Sequence, residues 1–93
     1  MRDNLIFKSA FIAALFQRLG QHKEAIAYYQ KALEMSPVSG LWLMGLGISM
    51  QADHQNEAAL ETYKRAIDSL SLSPELQAFV EQRIKEIKPK DNK

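Results

Sequence analysis

The residues that could do chemistry are few: His22, His54, Asp53 and the serines Ser69, Ser71 and Ser73. An imidazole titrating near neutrality could serve as a general base or a metal ligand. A catalytic serine needs such a base within hydrogen-bond reach, and a metal needs several convergent donors. His22 and His54 fall in or beside turns that lie a whole helical unit apart. They are expected to be solvated. Asp53 precedes His54 directly, and adjacent turn residues do not form a base and its orienter. The three serines suit a helix exit and a helix cap, with no base beside them. There are no cysteines, which excludes disulfides, thiolate metal sites and cysteine nucleophiles and leaves the redox compartment open. No catalytic residue, cofactor or metal ligand is expected, and the chain reads as a non-enzyme.

Composition narrows the classes further. The 93 residues fit one small domain, with 46% hydrophobic and 25% charged residues in an ordinary globular balance. A net charge of +1 with acids and bases intermixed lacks the basic stripe of a nucleic-acid binder. No apolar run reaches the length of a membrane span, because Lys8 and Ser9, then Gln17 and Arg18, break "NLIFKSAFIAALFQRLG". Arg2 ahead of an apolar stretch has the look of a signal peptide. Lys8 interrupts that stretch, and the residues after it continue into a helix that the next helix needs.

The elements that position these residues follow from capping and breaking signals. A first helix, capped by Asp3 or Asn4, is expected to run to about Leu19 and to end at Gly20. A second spans about His22 to Met35, stopped by Ser36-Pro37. A third runs from about Gly40 to Ala52 and a fourth from about Asn56 to Leu70. Ser73 then caps a fifth helix with Pro74 at its first position. Leu76, Phe79, Val80, Ile84 and Ile87 line one stripe of it, with Glu75, Gln82, Lys85 and Glu86 opposite.

The helices repeat. A shift of 34 residues lays Ala25 on Ala59, Tyr29 on Tyr63 and Ala32 on Ala66. Upstream, Ile12 falls on Leu46, Ala13 on Gly47 and Phe16 on Met50. Large matches large and small matches small. Small residues at 13 and 47 let the second helix of each unit approach closely, and the tyrosines fill the volume between units. Tyr28 is the freer of the two adjacent tyrosines, and Trp42 is expected to wedge between units or cover the core edge. The charged residues, Lys23, Glu24, Lys31, Glu34, Glu57, Glu61, Lys64 and Arg65, read as a solvated face.

This series resembles the tetratricopeptide repeat family, a helix-turn-helix with a small-aromatic-small second helix and a closing proline. The first unit carries Ile12, Ala13, Phe16, Gly20, Ala25, Tyr29, Ala32 and Pro37; the second carries Leu43, Leu46, Gly47, Met50, Ala59, Tyr63 and Ala66. Two positions depart from the pattern. Ser9 stands where a large residue is usual, and "SLSLSP" replaces the closing proline of the second unit. The resemblance implies an all-α fold: a right-handed array of two helical hairpins plus a C-terminal capping helix. It implies a single domain over 1–93, with repeats at 6–39 and 40–73, a capping helix at 73–88 and a frayed tail at 89–93.

The resemblance also implies a concave groove lined by the first helices. By register that groove presents Phe7, Ala10, Ala14 and Gln17, then Leu41, Met44, Ile48 and Gln51. Some family members hold a peptide C-terminus there through a lysine and asparagines. Ala10, Ala14, Met44 and Ile48 occupy the corresponding region, so no such clamp is expected. An apolar groove suits a helix or hydrophobic segment.

A narrower resemblance lies in "LWLMGLGISMQADHQNEAALETYKRAI" followed by "SPELQAFVEQRI". It is similar to the C-terminal end of the protein N family of mannose-sensitive haemagglutinin (type IV) pilus biogenesis. That resemblance implies a part in pilus assembly at the bacterial cell envelope, on the periplasmic side of the inner membrane. The expected function is a protein–protein interaction or scaffold module without direct membrane insertion. The alternative is a structural or self-associating segment of a larger chain, including a homodimer. Two hairpins fall short of the roughly three repeats usual for independent stability. The capping helix, a dimer contact or further repeats upstream must compensate.

Overall fold

A computed structural model describes residues 2–87, with side chains from Phe7 to Ile87. The expected tail, residues 89–93, lies outside the described residues. The elements are α1 (Arg2–Arg18), α2 (His22–Met35), α3 (Gly40–Ala52), α4 (Asn56–Asp68) and α5 (Pro74–Ile87). The fold is all-α, two helical hairpins and a capping helix, measuring 50 × 27 × 20 Å. α2 lies against both α1 and α3, and α4 against both α3 and α5. The second helices therefore carry the stack, while α1 and α3 barely meet and leave a groove between them.

The turns repeat in geometry more faithfully than in residue type. Gly20 sits at φ 77°, its N–H donating to Gln17 O (3.1 Å) while Gln21 N–H donates to Phe16 O (2.9 Å). This pair of bonds around a left-handed residue satisfies the last carbonyls of α1. The second hairpin uses the same closure around His54 at φ 65°, with bonds to Gln51 O (3.0 Å) and from Gln55 N–H to Met50 O (2.8 Å). A β-carbon in that conformation is strained, where Gly20 is not.

Two helix ends differ from the sequence expectation. α1 begins at Arg2, so Asp3 and Asn4 are helical residues rather than caps. α4 stops at Asp68 instead of running to Leu70. The Ser69 hydroxyl donates to Ala66 O (2.6 Å), and Leu70 turns left-handed at φ 57°. That turn frees Ser71 to serve the start of α3, the partner helix of its own hairpin. Its Oγ accepts from Gly40 N–H (2.9 Å), while the N-cap Ser39 accepts from Trp42 N–H (3.2 Å). A β-carbon at residue 40 would fall 2.5 Å from Ser71 Oγ and 2.6 Å from Ser69 Oγ, which is why glycine opens α3. Ser71 stands at the register of Pro37, so a hydroxyl replaces the closing proline and caps the first helix of its own hairpin. Ser73 caps α5 as expected, accepting from Leu76 N–H (3.2 Å).

Alanines 13, 25, 32, 59 and 66 are buried without remainder, and Tyr29, Tyr63, Leu43, Leu46 and Met50 are buried beside them. Shape matching is tight. A β-carbon on Gly47 would approach the Tyr63 ring to 2.6 Å, and one on Gly45 would approach the Tyr29 ring to 2.5 Å. On α5, Val80 is fully buried and Phe79, Ile84 and Ile87 pack against the core, while Leu76 is half-buried. Glu75, Gln82, Lys85 and Glu86 face outward. Ser9 is too small for its place: a hollow of about 240 Å³ is bordered by Ser9, Lys31, Glu34 and Met35, where the second hairpin buries Leu43.

Candidate functional site

The groove between α1 and α3 forms a cleft of about 240 Å³. Of the eight residues placed there by register, Ala10, Ala14, Gln17, Leu41, Met44 and Ile48 line it. Phe7 does not line it; largely exposed, it sets its ring edge-on to the lining residue Trp42 at 6.3 Å between centroids. Gln51 is not in this cleft. Its Oε1 accepts from Tyr63 Oη (2.9 Å) and from an Arg83 guanidinium nitrogen (2.6 Å), so it ties α3 to α4 and α5.

Three lining residues were not expected: Tyr29, Trp42 and Gly45. Gly45 carried a signal, because a mid-helix glycine with no turn to serve marks a close approach. Here the approach is by Tyr29. Without a β-carbon at 45, the tyrosine ring passes between α2 and α3 and its hydroxyl end reaches the cleft. Burial of Tyr29 pushes its phenol above the ordinary value.

Gln17 and Gln51 are register equivalents with related tasks. Gln17 Nε2 donates to Gly45 O and to Ser49 Oγ, both at 2.9 Å. The Gly45 carbonyl can only accept, which fixes the amide with its nitrogen toward α3. Ser49 in turn shares the register of Arg83. Each glutamine therefore links its own first helix to the next one, through Ser49 in one case and Arg83 in the other.

His22 departs from the solvated expectation. As the first residue of α2 it lies half-buried over α3, with Nδ1 3.1 Å from Ser49 Oγ. A serine–histidine contact invites a catalytic reading, but Ser49 is fully buried and its oxygen already receives Gln17. A substrate carbonyl has no path to it. His54 is exposed at its turn. Asp53 accepts from Lys23 Nζ (2.9 Å) and from Gln55 Nε2 (2.7 Å). Those two partners, Gln55 foremost, hold its carboxyl below the usual range. Among the described residues, no group of three or more histidine, cysteine or acidic side chains is placed to hold a metal ion. No described helix is long and apolar enough to cross a membrane.

The other aromatic pair lies away from the groove. Tyr28 stacks on Phe16 at 5.7 Å, and the Lys31 ammonium lies 5.8 Å from the Tyr28 centroid. Both partners are half-buried, which makes this an edge seal of the first hairpin.

Among curated proteins, none matches the chain. A family model described as Tetratricopeptide repeat matches residues 6–71. That span takes in both hairpins, the small-aromatic-small series of α2 and α4 and the groove between the first helices. The chain belongs to the tetratricopeptide repeat family.

Proposed function

We propose that the chain is a protein-interaction module whose α1–α3 groove receives an apolar helix or segment of a partner. Repeats of this family generally mediate protein–protein contact or scaffolding. The observation that carries the reading is the cleft itself: its nine lining residues include no charged side chain. An ionised group entering there would lose water without gaining a partner, whereas an apolar side chain would be welcome. Met44 adds an adaptable wall. The setting we infer is type IV pilus assembly, on the periplasmic side of the inner membrane. It is supported by the resemblance of "SPELQAFVEQRI" and the stretch before it to the protein N family of mannose-sensitive haemagglutinin pilus biogenesis.

The test is the double variant Met44→Glu with Ile48→Glu. Both side chains are only half-buried, so the helical circular dichroism spectrum should persist. Pilus-assembly proteins that co-purify with the parent should be absent from the variant. Retention of the same partners by a folded double variant sinks the groove reading. Self-association is the second reading, favoured by Phe11 and Leu15 of α1 and Leu19 just beyond it, which stay exposed. Light scattering of the parent and of Phe11→Glu separates the two: a parent dimer that the Phe11 variant dissolves supports self-association.

A further inference from the structure

Tyr29 and Tyr63 share one register but differ at the hydroxyl. Tyr63 Oη donates to Gln51 Oε1. Tyr29 is 6% exposed, and its hydroxyl has no hydrogen-bond partner among the described residues. The oxygen is nonetheless reachable, since among the described residues no fully enclosed side-chain oxygen or nitrogen lacks a partner. The residue lines the groove cleft, so the hydroxyl opens there.

The cause lies with Gln17. Its counterpart Gln51 turns its oxygen to the tyrosine, but Gln17 is held the other way by the carbonyl of Gly45 and the hydroxyl of Ser49. Two polar atoms are thereby left over in an uncharged cleft: the Tyr29 hydroxyl, a donor, and the Gln17 amide oxygen, an acceptor. Both belong to side chains that converge on Gly45. Gln17 Nε2 lies 2.9 Å from Gly45 O, and a β-carbon on Gly45 would lie 2.7 Å from Tyr29 Oη.

A buried polar atom left unpaired when water is expelled is costly. An occupant that is apolar throughout would strand both atoms. A carboxylate would accept from Tyr29 but has no hydrogen for Gln17, and it brings a charge. A carboxamide supplies an acceptor and a donor without charge. The cleft, at about 240 Å³, falls below the range that holds drug-sized ligands. It admits side chains, not a length of backbone. A helix satisfies its own backbone and offers only side chains, so it is the form of partner that fits.

We propose, resting on the groove reading above, that Tyr29 and Gln17 set the specificity of this cleft for a partner helix carrying an asparagine or glutamine among apolar anchors.

The experiment uses three short alanine-based helical peptides that present two leucines on one face. The residue between them is asparagine, leucine or aspartate. Binding to the whole chain is followed by fluorescence anisotropy. The asparagine peptide should bind roughly tenfold more tightly than the leucine peptide, the ratio that one stranded polar group is worth. The aspartate peptide should bind weakest. Tyr29→Phe should weaken the preference for asparagine, leaving the part that rests on Gln17, and should leave the melting temperature unmoved, because the hydroxyl holds nothing in the free protein. Equal binding of the asparagine and leucine peptides overturns the proposal. So does a preference that Tyr29→Phe leaves undiminished. If both peptides bind alike but Met44→Glu with Ile48→Glu abolishes binding, the groove reading stands and only the carboxamide specificity falls. If no peptide binds, both fall together.

Discussion

Tyr63 turns burial into a pH dependence. Its side chain has no exposed surface, and desolvation pushes the phenol from 10.0 up to about 12, although the nearby Arg83 guanidinium pulls the other way. The neutral phenol is thus favoured in the folded chain, while the unfolded chain ionises first. The stability tied to this group is whole below pH 10 and lost as pH rises toward about 12. Urea unfolding should show that fall, and Tyr63→Phe should make it shallower. A second expectation concerns His54. It takes the left-handed position that glycine fills at residue 20, so His54→Gly should stabilise by about 0.5–1 kcal/mol, the relief of strain less the added freedom of the unfolded chain. Denaturant midpoints of the two proteins would show it. The buried alanines and tyrosines were legible because a repeat carries volume from one unit to the next. The opening of Tyr29 into the cleft was not. It depends on which way Gln17 turns its amide, and that is decided by the Gly45 carbonyl, a backbone group that no residue pattern displays.

At the scale of elements, the five helices followed from glycine, proline and serine punctuation. The end that shifted at α4 is a place where a side chain's hydrogen bond, from Ser69 to Ala66 O, rather than a breaker sets the boundary. Six of the eight residues assigned to the groove line the cleft, because register alone places them on one side of α1 and α3. Gln51 escaped because the next first helix, α5, offers Arg83 to it. That helix is what the second hairpin rests on. Val80 packs with full burial, Phe79 and Ile84 cover the core, and Arg83 lies 4.9 Å from the Phe79 ring centroid. Removing residues 73–93 strips this cover and exposes Tyr63 and its neighbours. Fully burying a side chain such as valine or phenylalanine is worth about 1.5–3 kcal/mol, so several such losses leave little of a small domain's stability. The truncated chain should melt without cooperativity in calorimetry and elute as aggregate. A monomeric, cooperatively melting product would show that α5 is dispensable.

For the whole molecule, the order of layers sets the order of local opening. α3 lies within the stack, flanked by α2 and α4, whereas α1 has Phe7, Phe11 and Leu15 standing in solvent. Amide hydrogen exchange should therefore be slowest in α3 and fastest among the helical amides of α1. A uniform pattern would mean that the stack opens only as a unit. The unlike ends have one more consequence. Phe11 and Leu15 share the register of Gly45 and Ser49, the face of α3 that α2 covers, so another helix laid on α1 would hide aromatic and aliphatic carbon. A helix laid on the outer side of α5 would strand Glu75, Lys85 and Glu86. The molecule has a direction: it can be lengthened by fusion ahead of α1, and α5 is its terminator.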